Sequence, residues 1–185
     1  VCKEVRLLYP AWAIPIVIRY RLKGEEQVRA PRMILSEPQT SVTLPGNGPI
    51  EWAYANGGET GFYRVALKGA LLESTLRSSD ELTPAERAGL LNHLSEMTRR
   101  EGAPLDRFLR ALEMLSKDSS RAVLVDVAGS LASLGDQLAQ DPSQRAVYNA
   151  WARRLLAPHY LRLGWTPSAS EDDDTKLSRQ AVLSA

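Results

Sequence analysis

A single cysteine, Cys2, stands in 185 residues. No disulfide can close within the chain, so its stability has to come from packing, and one thiol fits a reducing, cytoplasmic compartment. Long apolar runs are missing as well. The longest, 11–18, is eight residues with Pro15 inside it, far short of the roughly 20 that cross a bilayer, so no membrane is expected as partner. Excess charge of one sign is lacking too: 23 Lys and Arg against 22 Asp and Glu leave +1. Such a field is too weak to point to nucleic acid or an anionic surface. The first residues show no basic, apolar and small-residue order of a signal peptide. The chain opens on Val1 and reads as a piece cut from something longer.

Chemistry-bearing residues are also sparse. There are two histidines, His93 and His159. Glu96 follows His93 by three positions on one expected helix, but no second histidine stands in register and the HExxH pattern of zinc peptidases is absent. The better reading is an exposed or half-buried helical histidine. His159 follows Pro158 at an expected helix break, with no nucleophile placed beside it. No Gly-x-Ser-x-Gly elbow occurs. The run 57–61, Gly-Gly-Glu-Thr-Gly, lacks the lysine of a phosphate loop and reads as a hairpin turn. Asp172, Asp173 and Asp174 read as a helix start complementing the macrodipole rather than as a calcium site. The four tryptophans, Trp12, Trp52, Trp151 and Trp165, read as core residues with the indole N–H on a backbone carbonyl. Arg64 reads as a buried arginine that must meet a carboxylate or carbonyls, with a structural role. No residue is assigned to catalysis, to a cofactor or to a metal.

What is present is a change of period. Seven of the twelve glycines fall by Gly69 and six of the eleven prolines by Pro49, and this punctuation between short apolar runs predicts strands. Ile14, Ile16, Ile18, Tyr20 and Leu22 alternate with Pro15, Val17, Arg19 and Arg21, giving one strand with one covered face. A turn at 23–25 leads to a return strand over 26–35, interrupted at Pro31. Further strands are expected over 40–44, 50–55 and 61–67. Spacing of this kind predicts a small antiparallel β-sandwich over 1–69.

From Ala70 the period is near 3.6, and 70–185 is expected to be a second, helical domain. Thr83-Pro84-Ala85-Glu86 forms a capping box with proline at the first helical position. The helix it opens buries Ala88, Leu90, Leu91, Leu94 and Met97 and stops at Gly102. A second helix spans 105–117, and a third runs from about Ser120 to Gly135. A fourth, opened by Asp141-Pro142, covers 144–156 with Val147, Trp151 and Leu155 inward. Short connections favour antiparallel neighbours and the start of an α-helical superhelix. The segment 172–185 reads as a helix cut in its middle, so dimerisation through exposed truncated helices is expected.

The signatures Trp12-Ala13-Ile14-Pro15-Ile16, then Asn56 through Gly61-Phe62-Tyr63-Arg64-Val65, then 82–91, then Leu163-Gly164-Trp165 with 177–183, resemble in order and spacing the gluzincin aminopeptidases related to aminopeptidase N and puromycin-sensitive aminopeptidase. The resemblance implies a C-terminal region of β-sandwich plus the beginning of a helical domain. Its structural signature residues here are Trp12, Pro15, Asn56, Gly61, Tyr63, Arg64, Gly164 and Trp165. It implies an intact parent that removes N-terminal residues from peptides with one zinc, none of whose ligand motifs occur here. For this chain it implies a supporting part that walls or gates the active-site chamber. The implied partners are the catalytic domain of the same parent and its peptide substrates. The competing readings are a free-standing sandwich and helical-repeat interaction module, and a carbohydrate-binding sandwich using Trp52 and Tyr54 on one strand face.

Overall fold

A computed structural model describes residues 3–6, 13–138 and 141–185. Among them the chain is α+β, with short antiparallel strands first and six α-helices after. It divides into two compact units, Val1–Glu86 and Arg87–Ala185. In the first, β1 (Lys3–Arg6) pairs with β6 (Gln39–Val42), and β2 (Ile14–Val17) pairs with β5 (Arg32–Leu35). β3 (Arg19–Leu22) lies between β4 (Val28–Arg29) and β7 (Ile50–Tyr54).

The alternation over 14–22 is real: Ile16, Ile18, Tyr20 and Leu22 are buried and form one core with Leu35 and Ala53. It is nevertheless two strands rather than one. At the break, Ile18 N–H donates to Pro31 O at 3.1 Å. Pro31 has no N–H to return, so the ladder is interrupted there on both chains, splitting the expected return strand into β4 and β5. The turn between β3 and β4 closes with Glu25 N–H on Leu22 O at 3.1 Å.

No strand forms over 61–67. The Asn56 side chain occupies both the N–H and the C=O of Gly61, groups a ladder would need, and the segment runs on as irregular chain. Likewise 57–59 is a 3-10 turn, not a hairpin turn. α1 (Gly69–Arg77) then covers β7. Buried Thr75 takes Ala53 N–H on its hydroxyl at 3.4 Å and donates to Ala53 O at 3.2 Å. A helical side chain thus satisfies strand groups that would otherwise be orphaned at an edge.

α2 (Pro84–Glu101) starts in the first unit and carries the boundary. The second unit continues with α3 (Leu105–Leu115), α4 (Arg121–Leu138), α5 (Pro142–Leu163) and α6 (Asp173–Ser184). α4 packs against α3, α5 and α6, and α5 against α6. The expected faces of α2 to α4 hold at Leu90, Leu91, Leu94, Met97, Phe108, Leu112, Leu115, Val123, Val127, Leu131 and Leu134, all buried.

Two expectations fail here. Gly135 does not stop α4, which continues to Leu138. α5 runs through Pro158 to Leu163 and turns a different face inward: Ala152, Leu156, His159 and Leu163 are buried, Val147 is 74% exposed, and Trp151 and Leu155 are intermediate. Among the described residues, no helix is long and apolar enough to cross a membrane.

Candidate functional site

The second signature closes on itself. β7 delivers Tyr54 and leads into Asn56, both 0% exposed. Gly61 N–H donates to Asn56 Oδ1 at 2.8 Å, and Asn56 Nδ2 donates to Gly61 O at 3.0 Å and to Glu59 Oε2 at 3.2 Å. Glu59, the described non-glycine residue with positive φ (54°), accepts the Tyr54 hydroxyl on its other oxygen. Tyr63 hydroxyl donates to Ala55 O at 2.8 Å. A Cβ at Gly61 would lie 2.0 Å from the Tyr63 ring, so only glycine lets the loop pass beneath that ring.

A second carboxylate anchors the same loop from α2. The capping box is formed as expected: Glu86 N–H donates to Thr83 Oγ1 at 3.2 Å and Thr83 N–H to Glu86 Oε2 at 2.8 Å. Glu86, 0% exposed, also accepts Gly58 N–H at 2.7 Å on Oε1 and is ion-paired with Arg19 of β3. The Arg19 guanidinium stands 5.7 Å from the Trp52 ring centre. The neighbouring Arg21 bridges Glu51 and Glu81 at 3.0 and 2.7 Å. These two arginines are the polar edge of the alternating segment, and each is matched by acids from elsewhere in the unit.

The electrostatics suit a fixed scaffold. Burial, reinforced by the bond to Glu59, pushes the Tyr54 hydroxyl far above its ordinary range, so it remains a neutral donor. Burial also raises Glu59, against the pull of its Tyr54 donor and with a push from the charge of Glu86. Both carboxylates accept from protein donors: Glu59 from the Tyr54 hydroxyl and the Asn56 amide, Glu86 from Gly58 and Thr83 N–H and from Arg19. This arrangement holds the 56–61 loop in place.

The fourth signature forms a separate clamp in the second unit. Gly164, at φ 68°, ends α5 with its N–H on Tyr160 O at 2.8 Å, a left-handed position that suits glycine. Arg179 of α6, 5% exposed, donates to Leu163 O at 2.8 and 3.0 Å and to Gly164 O at 3.1 Å, and pairs through two nitrogens with Glu171. The forked guanidinium thus satisfies carbonyls that the helix end leaves without partners. Glu171 is held below the usual carboxylate range by that cation, and Arg179 is raised in turn.

Comparison with known proteins places the chain in a family. The model of the ERAP1-like C-terminal domain matches residues 52–185. The chain belongs to that family. It is similar to a puromycin-sensitive aminopeptidase from Caenorhabditis elegans, 25% identical over 176 residues, covering 92% of this chain and 18% of that protein. It is also similar to an aminopeptidase N from Lactobacillus delbrueckii subsp. lactis, 27% identical over 138 residues, covering 70% and 15%. The chain therefore spans less than a fifth of the length of these curated relatives.

The remaining candidates disperse. Trp12 and Cys2 lie outside the described residues. Pro15 is exposed in β2, opposite Ile34. Arg64 is exposed, not buried as expected, because its segment is irregular chain rather than an inner strand. The tryptophans divide: Trp52 is 0% exposed, yet its N–H has no hydrogen-bond partner among the described residues. Trp151 donates to the Glu113 carboxylate at 2.9 Å, and Trp165 is 70% exposed.

Both histidines are buried, a correction for His93. His159 Nε2 donates to Ser116 O at 2.6 Å, so it closes the end of α3 from inside an unbroken α5. Asp172 caps α6 on Thr175 N–H at 2.7 Å, while Asp173 and Asp174 pair with Lys176 and Arg121. No group of three or more His, Cys, Asp or Glu among the described residues could hold a metal ion, so these side chains do not fit a resident zinc. Sequence reasoning missed the roles of Glu59, Arg19 and the Glu171–Arg179 pair. Arg19 meets an acid 67 positions away, while the Glu59 and Glu171–Arg179 contacts cross a turn and a helix end, and periodicity connects none of them.

Proposed function

We propose that the chain is a non-catalytic C-terminal part of a zinc aminopeptidase that removes N-terminal residues from peptides, and that it walls or gates the active-site chamber. The family match over 52–185, together with relatives that are aminopeptidases by name, supports this reading. Its sheets belong to a β-sandwich over 1–69, and its helices over 70–185 begin an αα superhelix. The zinc and the residues that bind it belong to the catalytic domain of the same parent, the partner of this part, and peptide substrates meet both. The setting is cytoplasmic, a reading supported by one cysteine in 185 residues. Movement of the helical part would open and close the chamber.

What supports a structural role here is the way candidate groups are used. Glu59, Glu86, His159 and Arg179 each spend their hydrogen-bonding capacity on backbone or neighbouring side chains. The test is hydrolysis of a panel of aminoacyl fluorogenic substrates, with zinc by elemental analysis, on this chain beside the longest chain its gene encodes. Activity with one zinc in the longer chain alone is the expected result. Activity in the 185 residues themselves overturns the non-catalytic reading. Inactivity of both favours a stand-alone protein or peptide interaction module, for which exposed Val147, Leu161 and Trp165 offer apolar surface.

A further inference from the structure

Phe62 is exposed to 110% of the reference accessibility, in the middle of a loop whose neighbours are tied down. On one side, Gly61 has its N–H and C=O held by Asn56. On the other, Tyr63 is fastened to Ala55 O and lies over Gly61. Asn56 is itself braced by Glu59, and Gly58 by Glu86. Single exposed apolar residues are ordinary on a protein surface. This one differs because hydrogen bonds hold the residue on either side of it. A large aromatic side chain on a preorganised loop loses little further freedom when it enters a pocket, the property that makes such residues binding anchors.

The length of the relatives points to its partner. The family match begins at residue 52, so Phe62 stands ten residues inside the N-terminal margin of the family domain, while the relatives extend over several times this length. We propose that Phe62 is an anchor seated in an apolar pocket of the catalytic part of the parent chain, with the Asn56–Gly61 clamp holding it in position. This rests on the reading of the chain as part of a longer aminopeptidase. The closed hydrogen bonding of the loop gives Asn56, Glu59 and Gly61 a task beyond local stability: they fix the direction in which the ring projects.

Hydrogen exchange by mass spectrometry, read on a peptide covering 60–66, tests this in the longest chain the gene encodes beside the 185 residues alone. Exchange at Phe62 and Tyr63 is expected to be about tenfold or more slower in the longer chain, the low end of what burying a phenylalanine side chain is worth. Phe62→Ser should abolish the slowing and Phe62→Leu should keep most of it, while both leave the melting temperature of the 185-residue chain unchanged. Equal exchange in the two wild-type chains, or slowing that survives Phe62→Ser, overturns the anchor. Failure of the underlying reading shows separately, as a longer chain without zinc or aminopeptidase activity whatever its loop exchange.

Discussion

Replacing Arg19 by methionine keeps most of the stem and removes the charge. Glu86 then remains fully buried, with the N–H groups of Gly58 and Thr83 as donors but no cation. Breaking a buried ion pair from one side costs about 3–5 kcal/mol because the remaining charge is uncompensated. Arg19 is 20% exposed, so water reaches the guanidinium and the expected cost falls to about 2–3 kcal/mol. Loss of the cation from the Trp52 face adds about 0.5–1 kcal/mol. The sum, near 3 kcal/mol, is a large part of the ~5–15 kcal/mol that holds a domain together. The assay is hydrogen exchange of β3 and β7 peptides across a urea series, which reads the first unit without requiring the whole chain to unfold as one. Glu86→Gln turns an NH2 toward one of the two backbone donors and should cost about 1–3 kcal/mol. The Arg19→Met/Glu86→Gln double variant should show coupling of at least about 1 kcal/mol. Arg19→Met within about 0.5 kcal/mol of wild type, or simple additivity of the two changes, would refute the argument.

Glu59→Gln should flatten the pH dependence of the first unit's stability, at a cost of about 1–3 kcal/mol for turning an NH2 toward the Tyr54 or Asn56 donor. Burial raises the Glu59 pKa on folding, so its contribution is complete below the unfolded value and lost as pH rises through the folded one. A urea midpoint that climbs with pH in wild type, because of Glu59, would contradict this. Arg179→Lys keeps the charge and loses the fork, so α6 should exchange faster and the second unit melt lower; an unchanged midpoint would show that one donor suffices. Glu171 titrates with the opposite sign: its lowered pKa makes the clamp fully effective above the unfolded value and weaker as pH falls through the folded one. Gly61→Ala should cost about 1–3 kcal/mol by forcing the Tyr63 ring aside, and Tyr63→Ala in the same chain should recover part of it, as measured by urea titration.

Local rules carried far into this structure where their residues are neighbours. Thr83 and Glu86 are three apart, and the box they predict is formed in full. Ile16 to Leu22 alternate, and their burial alternates. The same rules fell short where a side chain reached across the sequence to take backbone groups. Asn56 claimed Gly61, and a segment with the composition of a strand became a loop. Pro158 signals a break, yet α5 is apolar on both sides of it and its buried face at Ala152, Leu156, His159 and Leu163 continues past the proline. The faces of α5 could not be assigned from apolar content alone, because Val147 and Leu161 are as hydrophobic as the residues turned inward. The signature residues were legible as a set, but Asn56, Gly61 and Tyr63 meet in one knot and Gly164 in another. Arg19 and Arg179, which complete those knots, stand in segments that a charge count reads as solvent-facing.

Trp52 has a consequence of its own. Its indole is sealed from water, its N–H is without an acceptor among the described residues, and a guanidinium stands off its ring, whereas Trp165 is largely open to solvent. Indoles in such unlike surroundings emit at different wavelengths, Trp52 toward the blue and Trp165 toward the red. The blue edge of the emission band therefore reports the first unit without any added label, because it is lost when Trp52 meets water, while Trp165 stays at the red edge throughout.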